Sequence, residues 1–252
     1  MPQTSAAPTT SAPSGGSTRI SVAMATCDGE ARIEAQLRSI LDQLGPGDEV
    51  VIADARSRDA TLARIEAFAD PRVRVLRDLP RGDIPGTFEA ALRECRGEFL
   101  FLSDQDDVWL PGKVERCLAV LVESSVSLLL HDARVVDGQG ATIAPSFLDA
   151  RGFRPGFWSN LAKPAYLGCA LVFRRRLLDV ALPFPGGIPM HDWWLGLVAE
   201  RHGGVGVLRE PLILHVRHGA NANFDPGRSP FSLPQRLRFR WHLLRALSAR
   251  VA

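Results

Sequence analysis

Apolar residues fall along the first hundred positions in blocks that alternate between two spacings. Ile20 to Ala25 is a run of strand length, and the polar turn Thr26-Cys27-Asp28-Gly29 follows it. Ile33, Leu37, Ile40, Leu41 and Leu44 then recur at helical spacing until Gly45 and Pro46 stop the pattern. The pair repeats: Val50 to Ala53 predicts a strand ending at Asp54, and Leu62, Ile65 and Phe68 stripe a second helix. Val73 to Leu76 is a third strand, Thr87 to Cys95 a helix, and Phe99 to Leu102 a fourth strand running into Ser103-Asp104-Gln105-Asp106-Asp107. Strands alternating with helices predict a parallel sheet with right-handed crossovers. Ligands of such sheets sit at the carboxyl ends of the strands, so Thr26, Asp54 and Asp104 should converge on one crevice.

The later pattern is less regular. Ser127 to Leu130 and Tyr166 to Phe173 predict strands, Met190 to Arg201 a helix opening with His191-Asp192-Trp193-Trp194, and Val205 to His215 one or two more strands. From Pro234 onward a helix is expected, with Leu237, Trp241, Leu244, Leu247 and Val251 on one broad face that Arg240 interrupts. Such a helix could pack back on the domain or rest on an anionic membrane, and the spacing leaves both readings open.

Composition narrows the classes. A chain of 252 residues can bury one sizeable core, and a net charge of +2 is too small to point to nucleic acid. The charge is uneven, with six arginines and no acid after Asp225. Cys27, Cys95, Cys117 and Cys169 are far apart and form no CxxC pair, which suggests a reducing, cytoplasmic setting. Residues 1–17, rich in Pro, Ser, Thr, Ala and Gly, read as a disordered leader rather than a signal peptide. No apolar run reaches the roughly 18–20 residues that would cross a bilayer.

The chemistry concentrates in Ser103-Asp104-Gln105-Asp106-Asp107-Val108-Trp109. Three carboxylates in four positions after a buried strand repel one another unless a cation or ordered donors compensate. A divalent metal holding a diphosphate would do so; a solvated acidic turn, with Asp107 capping the next helix, is the plainer alternative. His215 and His218 have the HxxH spacing of zinc ligands, but no further nitrogen or sulfur ligand stands near them in the sequence.

The block DQDDVW, the later His191-Asp192-Trp193-Trp194 and then Arg217-His218-Gly219-Ala220-Asn221 occur in an order that resembles the family 2 glycosyltransferases, in particular their rhamnosyltransferase-like branch. The resemblance covers roughly Arg19 to Asn223. It implies an α/β fold of glycosyltransferase-A type, with a Rossmann-like, mostly parallel central sheet flanked by helices. The donor half would run to about residue 137, the acceptor half to 223, and a basic tail over 224–252.

The implied reaction is inverting transfer from a nucleoside diphosphate sugar, dTDP-rhamnose being the branch's suggestion, to a hydroxyl of a glycan or lipid-linked glycan. Asp106 and His218 would hold Mg²⁺ or Mn²⁺, and Thr26, Asp54, Arg56, Asp104 and Asp107 would meet the nucleotide sugar. Asp192 would be the general base; the plainer reading makes it a helix cap, and a helix N-terminus would keep it ionised and weaken it as a base. Gly168, Cys169 and Trp193 would shape the acceptor side.

One departure stands out. ADARSRDAT replaces a DDGSTDGT-like string, so Ala55 stands where the family's second aspartate helps to read the base. Ser57 and Asp59 could serve the nucleotide or merely cap the following helix. A weak nucleotide-sugar binding protein and a metal-dependent phosphohydrolase are the competing readings. The expected location is the cytoplasm, with peripheral contact at the inner face of the plasma membrane through the tail.

Overall fold

The computed structural model describes residues 19–217 and 231–250. Four parallel strands, β1 (Ile20–Thr26), β2 (Glu49–Asp54), β3 (Val73–Leu76) and β4 (Phe99–Ser103), lie in the order β3-β2-β1-β4. Helices α1 (Ile33–Leu41), α2 (Thr61–Glu66) and α3 (Ile84–Glu94) connect them. Nearly every residue of β1, β2 and β4 is buried, because helices cover both faces. That is why these strands read as continuous apolar runs and not as alternation. Thr26 pairs in register with Asp54, and Met24 with Ser103, so the three strand ends meet at one edge.

The remaining elements are β5 (Val108–Trp109), α4 (Lys113–Glu123), β6 (Leu128–Asp137), β7 (Thr142–Ala144), α5 (Phe147–Arg151), α6 (Phe157–Ala162), β8 (Leu171–Arg174), α7 (Leu178–Ala181), α8 (His191–Arg201), β9 (Val205–Arg217) and α9 (Leu233–Ser248). From β4 the sheet continues through β8, β6 and β9 to β5, with β7 on β6, giving nine strands among the described residues. Here it turns mixed: β8 runs against β4 and β6, while β9 runs with β6 and against β5.

Several expectations need revising. The segment from Tyr166 to Phe173 is not one strand, since a 3₁₀ turn at Gly168–Ala170 precedes β8. The strand expected at Ser127 to Leu130 extends to Asp137, and Val205 to Arg217 is a single long strand. Helix α8 is buried on nearly all sides, from Trp193 to Ala199, which makes it a central helix with no polar face to announce it.

Helix α9 docks on the domain through Leu243 and Leu247, with Phe239, Leu244 and Ala246 partly covered. Arg250 donates to the carbonyls of Val180 and Leu182, both at 2.7 Å, and Arg240 to that of Ala162. The buried seam therefore lies to one side of the face that spacing suggested, and Leu237 and Trp241 remain exposed. No helix of the described residues is long and apolar enough to cross a membrane. Residues 1–17 and His218 lie outside the described residues.

Candidate active site

The loops after β1 and β2 are clasped together by side chains. Ser57 Oγ accepts from Asp28 N at 2.9 Å, Thr61 Oγ1 from Gly29 N at 2.7 Å, and Asp59 Oδ2 from Glu30 N at 3.0 Å. In return Asp28 Oδ1 accepts from Arg58 N, and Glu30 Oε2 from Ala60 N. Ser57 and Asp59 thus latch one loop to another; the N-cap of α2 is Ala60, and Asp59 Oδ1 also accepts from Thr61 N, the first amide of that helix, at 3.0 Å. Asp54 is fully buried and accepts from Thr26 Oγ1 at 3.0 Å and from Ser57 N at 2.9 Å and Ser57 Oγ at 2.5 Å.

Asp28, Arg56 and Asp78, one in the loop after each of β1, β2 and β3, have φ of 51°, 58° and 64°. Left-handed conformations at residues other than glycine cost energy and gather at binding sites. A cavity of about 440 Å³ opens beside Asp54, lined by Arg56, Arg58, Arg77 and Arg81 together with Asp78, with Arg77 paired to Glu66 and Arg81 to Asp28.

Gln105 joins this clasp to the acidic loop. Its Oε1 accepts from Cys27 N at 2.8 Å and its Nε2 donates to Cys27 O at 3.0 Å. Gln36, buried on α1, donates to Ser103 Oγ and to Asp104 O. Spacing could not mark either glutamine, because each works on the backbone of a distant loop.

Burial pushes the Asp104 carboxyl up to about 8, and the charges of Asp107 and Asp106 add to the effect. That is the signature of a carboxylate cluster short of positive charge, and a divalent cation among these oxygens would reverse it. The oxygen donors suit Mg²⁺ or Mn²⁺.

Asp107 does not cap α4, which begins after Gly112. Its Oδ1 accepts from His215 Nδ1 at 2.9 Å and from Val216 N at 3.1 Å, binding the acidic loop to β9. Burial works against ionising either partner, yet their mutual attraction wins and holds Asp107 low and His215 high. Asp107, Cys169 and His215 offer ligand atoms within 4.8 Å of one another. Burial pushes the Cys169 thiol well above its ordinary range, and its Sγ lies 4.0 Å from His215 Nδ1. The trio is a hydrogen-bonded brace.

Beneath it Lys113 is fully buried, with Nζ 3.0 Å from Cys169 O and 4.1 Å from the centre of the Trp109 ring. Burial lowers this amine to about 8. Nothing in the sequence distinguished it from a surface lysine.

Asp192 lies in the first turn of α8, whose N-cap is Met190, so it is not itself the cap. Its Oδ1 accepts from Trp193 N at 2.6 Å, and Gly168 N donates to it as well. Burial nevertheless raises its pKa to about 6, more than these amides lower it. The expected weakening by the helix N-terminus is overcome. The charge of Asp192 adds to the upward shift of Asp104, so the two carboxylates lie within electrostatic reach of each other.

The sequence profile described as Glycosyl transferase family 2 matches residues 21–181, from β1 to the end of α7. The chain is a member of glycosyl transferase family 2. It is 24% identical over 181 residues to UDP-Glc:alpha-D-GlcNAc-diphosphoundecaprenol beta-1,3-glucosyltransferase WfgD of Escherichia coli, covering 71% of this chain and 68% of that protein. It is 28% identical over 221 residues to dTDP-rhamnosyl transferase RfbG of Shigella flexneri, covering 80% of this chain and 75% of the other. The crystal structure of S. aureus TarS 1-349 in complex with UDP-GlcNAc superposes with a TM-score of 0.69 at 19% identity, over 93% of this chain and 66% of that one. The chain thus spans about two thirds of that structure, and the shared architecture is the glycosyltransferase-A fold.

In this glycosyltransferase the remaining candidates are placed as follows. Gly168 abuts His191, whose ring stacks on Phe88 at 3.9 Å, and Cys169 is fully buried behind it. Trp193 is buried, its Nε1 donating to Asn160 O at 3.0 Å and Arg240 lying over its ring. That contact joins α8 to α6 and α9. His218 follows the end of β9, outside the described residues.

Proposed function

We propose that this transferase moves a sugar from a nucleoside diphosphate donor to a glycan hydroxyl by a single, inverting displacement, with Asp192 as general base. The reading is supported by the nearness of Asp192 to the acidic loop, close enough for its charge to act on Asp104, and by the two amides that hold its carboxylate. A base near 6 is ionised at neutral pH and still able to take a proton. The amides of Gly168 and Trp193 fix the carboxylate for one approach.

The acceptor oxygen bonds to the anomeric carbon as the bond to the diphosphate oxygen breaks. The proton passes to Asp192, and the nucleoside diphosphate leaves with the electron pair. Asp106 would hold Mg²⁺ or Mn²⁺, with His218 as a second ligand, and the cation when bound stabilises charge on the leaving diphosphate.

Thr26, Asp54, Arg56, Asp104 and Asp107 form the donor end of this reading. Asp54 already accepts three hydrogen bonds and Ala55 is buried and apolar, so the base edge meets the arginines of the adjoining cavity more readily than a carboxylate. The names of RfbG and WfgD point to dTDP-rhamnose and UDP-glucose as the first donors to try, and WfgD to an acceptor on a polyprenyl diphosphate. Such an acceptor is presented at a membrane face. The four free thiols suit the cytoplasmic side, where the medium is reducing.

Product analysis tests the proposal. The full chain is incubated with UDP-glucose, UDP-GlcNAc or dTDP-rhamnose and a lipid-linked glycan, with Mn²⁺ or with EDTA. Transfer with one donor, lost in EDTA and in Asp106→Ala, is the expected result. Binding without turnover would leave a nucleotide-sugar binding protein, and release of phosphate without transfer a phosphohydrolase; either overturns the reading.

A further inference from the structure

Helix α9 is held on one face and bare on another. Leu243 and Leu247 are buried, and Arg240 and Arg250 grip carbonyls of the domain beneath. Along the flank beside that seam Leu233, Leu237 and Trp241 follow one another at four-residue intervals and are 65%, 59% and 69% exposed. Arg245 continues the same line, and Arg238 lies beside it, both exposed.

A second large aromatic stands on the helix to which the tail is bolted. Arg240 donates to Ala162 O at the end of α6, and one turn earlier Trp158 is 72% exposed. The other exposed large apolar side chains include Ile84, Val122 and Ile143, which sit singly on other elements, as ordinary surface residues do.

Helix α6 itself is uncharged, and the segments around it and α9 are basic. Residues 150–165 hold Arg151, Arg154 and Lys163 and no acid, and residues 226–252 hold six arginines and no acid. We propose that the outward face of α9, together with Trp158 of α6, docks on an anionic lipid bilayer. The stripe of Leu233, Leu237 and Trp241 supplies an apolar edge for the acyl boundary, and tryptophan favours that depth. The flanking arginines meet lipid phosphates while their stems lie along the apolar edge.

A second copy of this chain fits less well. A two-fold contact would set α9 against α9, arginine facing arginine, with no acid on either side to compensate. The surface stands on its own residues and does not depend on the choice of donor or acceptor.

The test uses the full chain and vesicles that carry no glycan lipid. Phosphatidylglycerol-containing vesicles should pellet the protein at 0.1 M salt, pure phosphatidylcholine vesicles should not, and 1 M salt should release it, as the Debye length falls from about 10 Å to about 3 Å. Of the five tryptophans, Trp109, Trp193 and Trp194 are buried, so brominated anionic lipids should quench only Trp158 and Trp241. Quenching should vanish in the Trp158→Phe/Trp241→Phe double variant. Arg238→Glu/Arg245→Glu and Leu237→Ala/Trp241→Ala, all at exposed positions, should each weaken vesicle binding at least about tenfold without changing the thermal transition or turnover of a soluble acceptor.

Three results would overturn the inference: a protein left in the supernatant with anionic vesicles, pelleting that the Leu237/Trp241 variant leaves intact, or a dimer in solution that this variant dissociates. Failure of transfer with every donor, accompanied by normal vesicle binding, would strike the catalytic proposal alone.

Discussion

At Asp192 three influences compete, and their order decides its chemistry. A position in the first turn of α8 and two amide donors favour the carboxylate, by about 0.3–1 kcal/mol for the helix end alone. Withdrawal from water favours the neutral acid and wins, bringing the group to about 6. With Asp192 as base, kcat/KM of the free enzyme should be flat above pH 6 and fall about tenfold per unit below it, as the carboxylate takes up its proton. Asp192→Asn should lower kcat by at least ~10²-fold with donor affinity unchanged, and the residual rate should lose that acid limb. An amide variant that instead loses the donor would show Asp192 to be a scaffold residue.

Among the elements, the turn at Gly168–Ala170 meets the start of α8 directly, since Gly168 N donates to Asp192. A Cβ on Gly168 would stand 2.8 Å from His191 Nε2 and 3.8 Å from Asp192 Cβ. His191 cannot withdraw, since its buried ring is stacked on Phe88. Gly168→Ala should therefore cost about 1–3 kcal/mol of stability, the usual scale of overpacking. With Asp192 as base, it should also lower kcat more than it raises the KM for donor, because the disturbed His191 adjoins Asp192 in the chain. A variant with unchanged melting and unchanged kcat would show that the turn yields freely.

This turn also marks the limit of what could be read from the chain. The strands β1 to β4 were legible because burial on both faces leaves unbroken apolar runs. Tyr166 to Phe173 looked similar, yet nothing in its pattern disclosed a turn that exists to meet Lys113 and Asp192. Ser57, Asp59 and Thr61 were visible as polar residues before a helix. Besides bonds within their own segment they take amide groups of another loop, which no spacing within the segment can reveal.

Over the whole molecule, the order of the motifs along the chain was legible but the way they are sewn together was not. A division near residue 137 separates groups that complete each other. Asp107 binds His215 and Val216, Lys113 binds Cys169 O, β5 pairs with β9, and β8 lies between β4 and β6. A fragment of residues 19–137 should accordingly show no cooperative thermal transition, measured by circular dichroism at 222 nm. A sharp transition near that of the full chain would make the donor half an independent unit.

The brace between Asp107 and His215 spans 108 positions. On a ribosome adding about 5–20 residues per second, the acidic loop emerges on the order of 5–20 s before the strand that closes it. For the earlier part of that interval, until β8 emerges, β4 has an open edge, and throughout it Asp107 lacks its partners on β9. An unpaired strand edge exposed on the growing chain is prone to wrong pairings, so slower translation of the segment between β4 and β8 should lower the yield of folded protein.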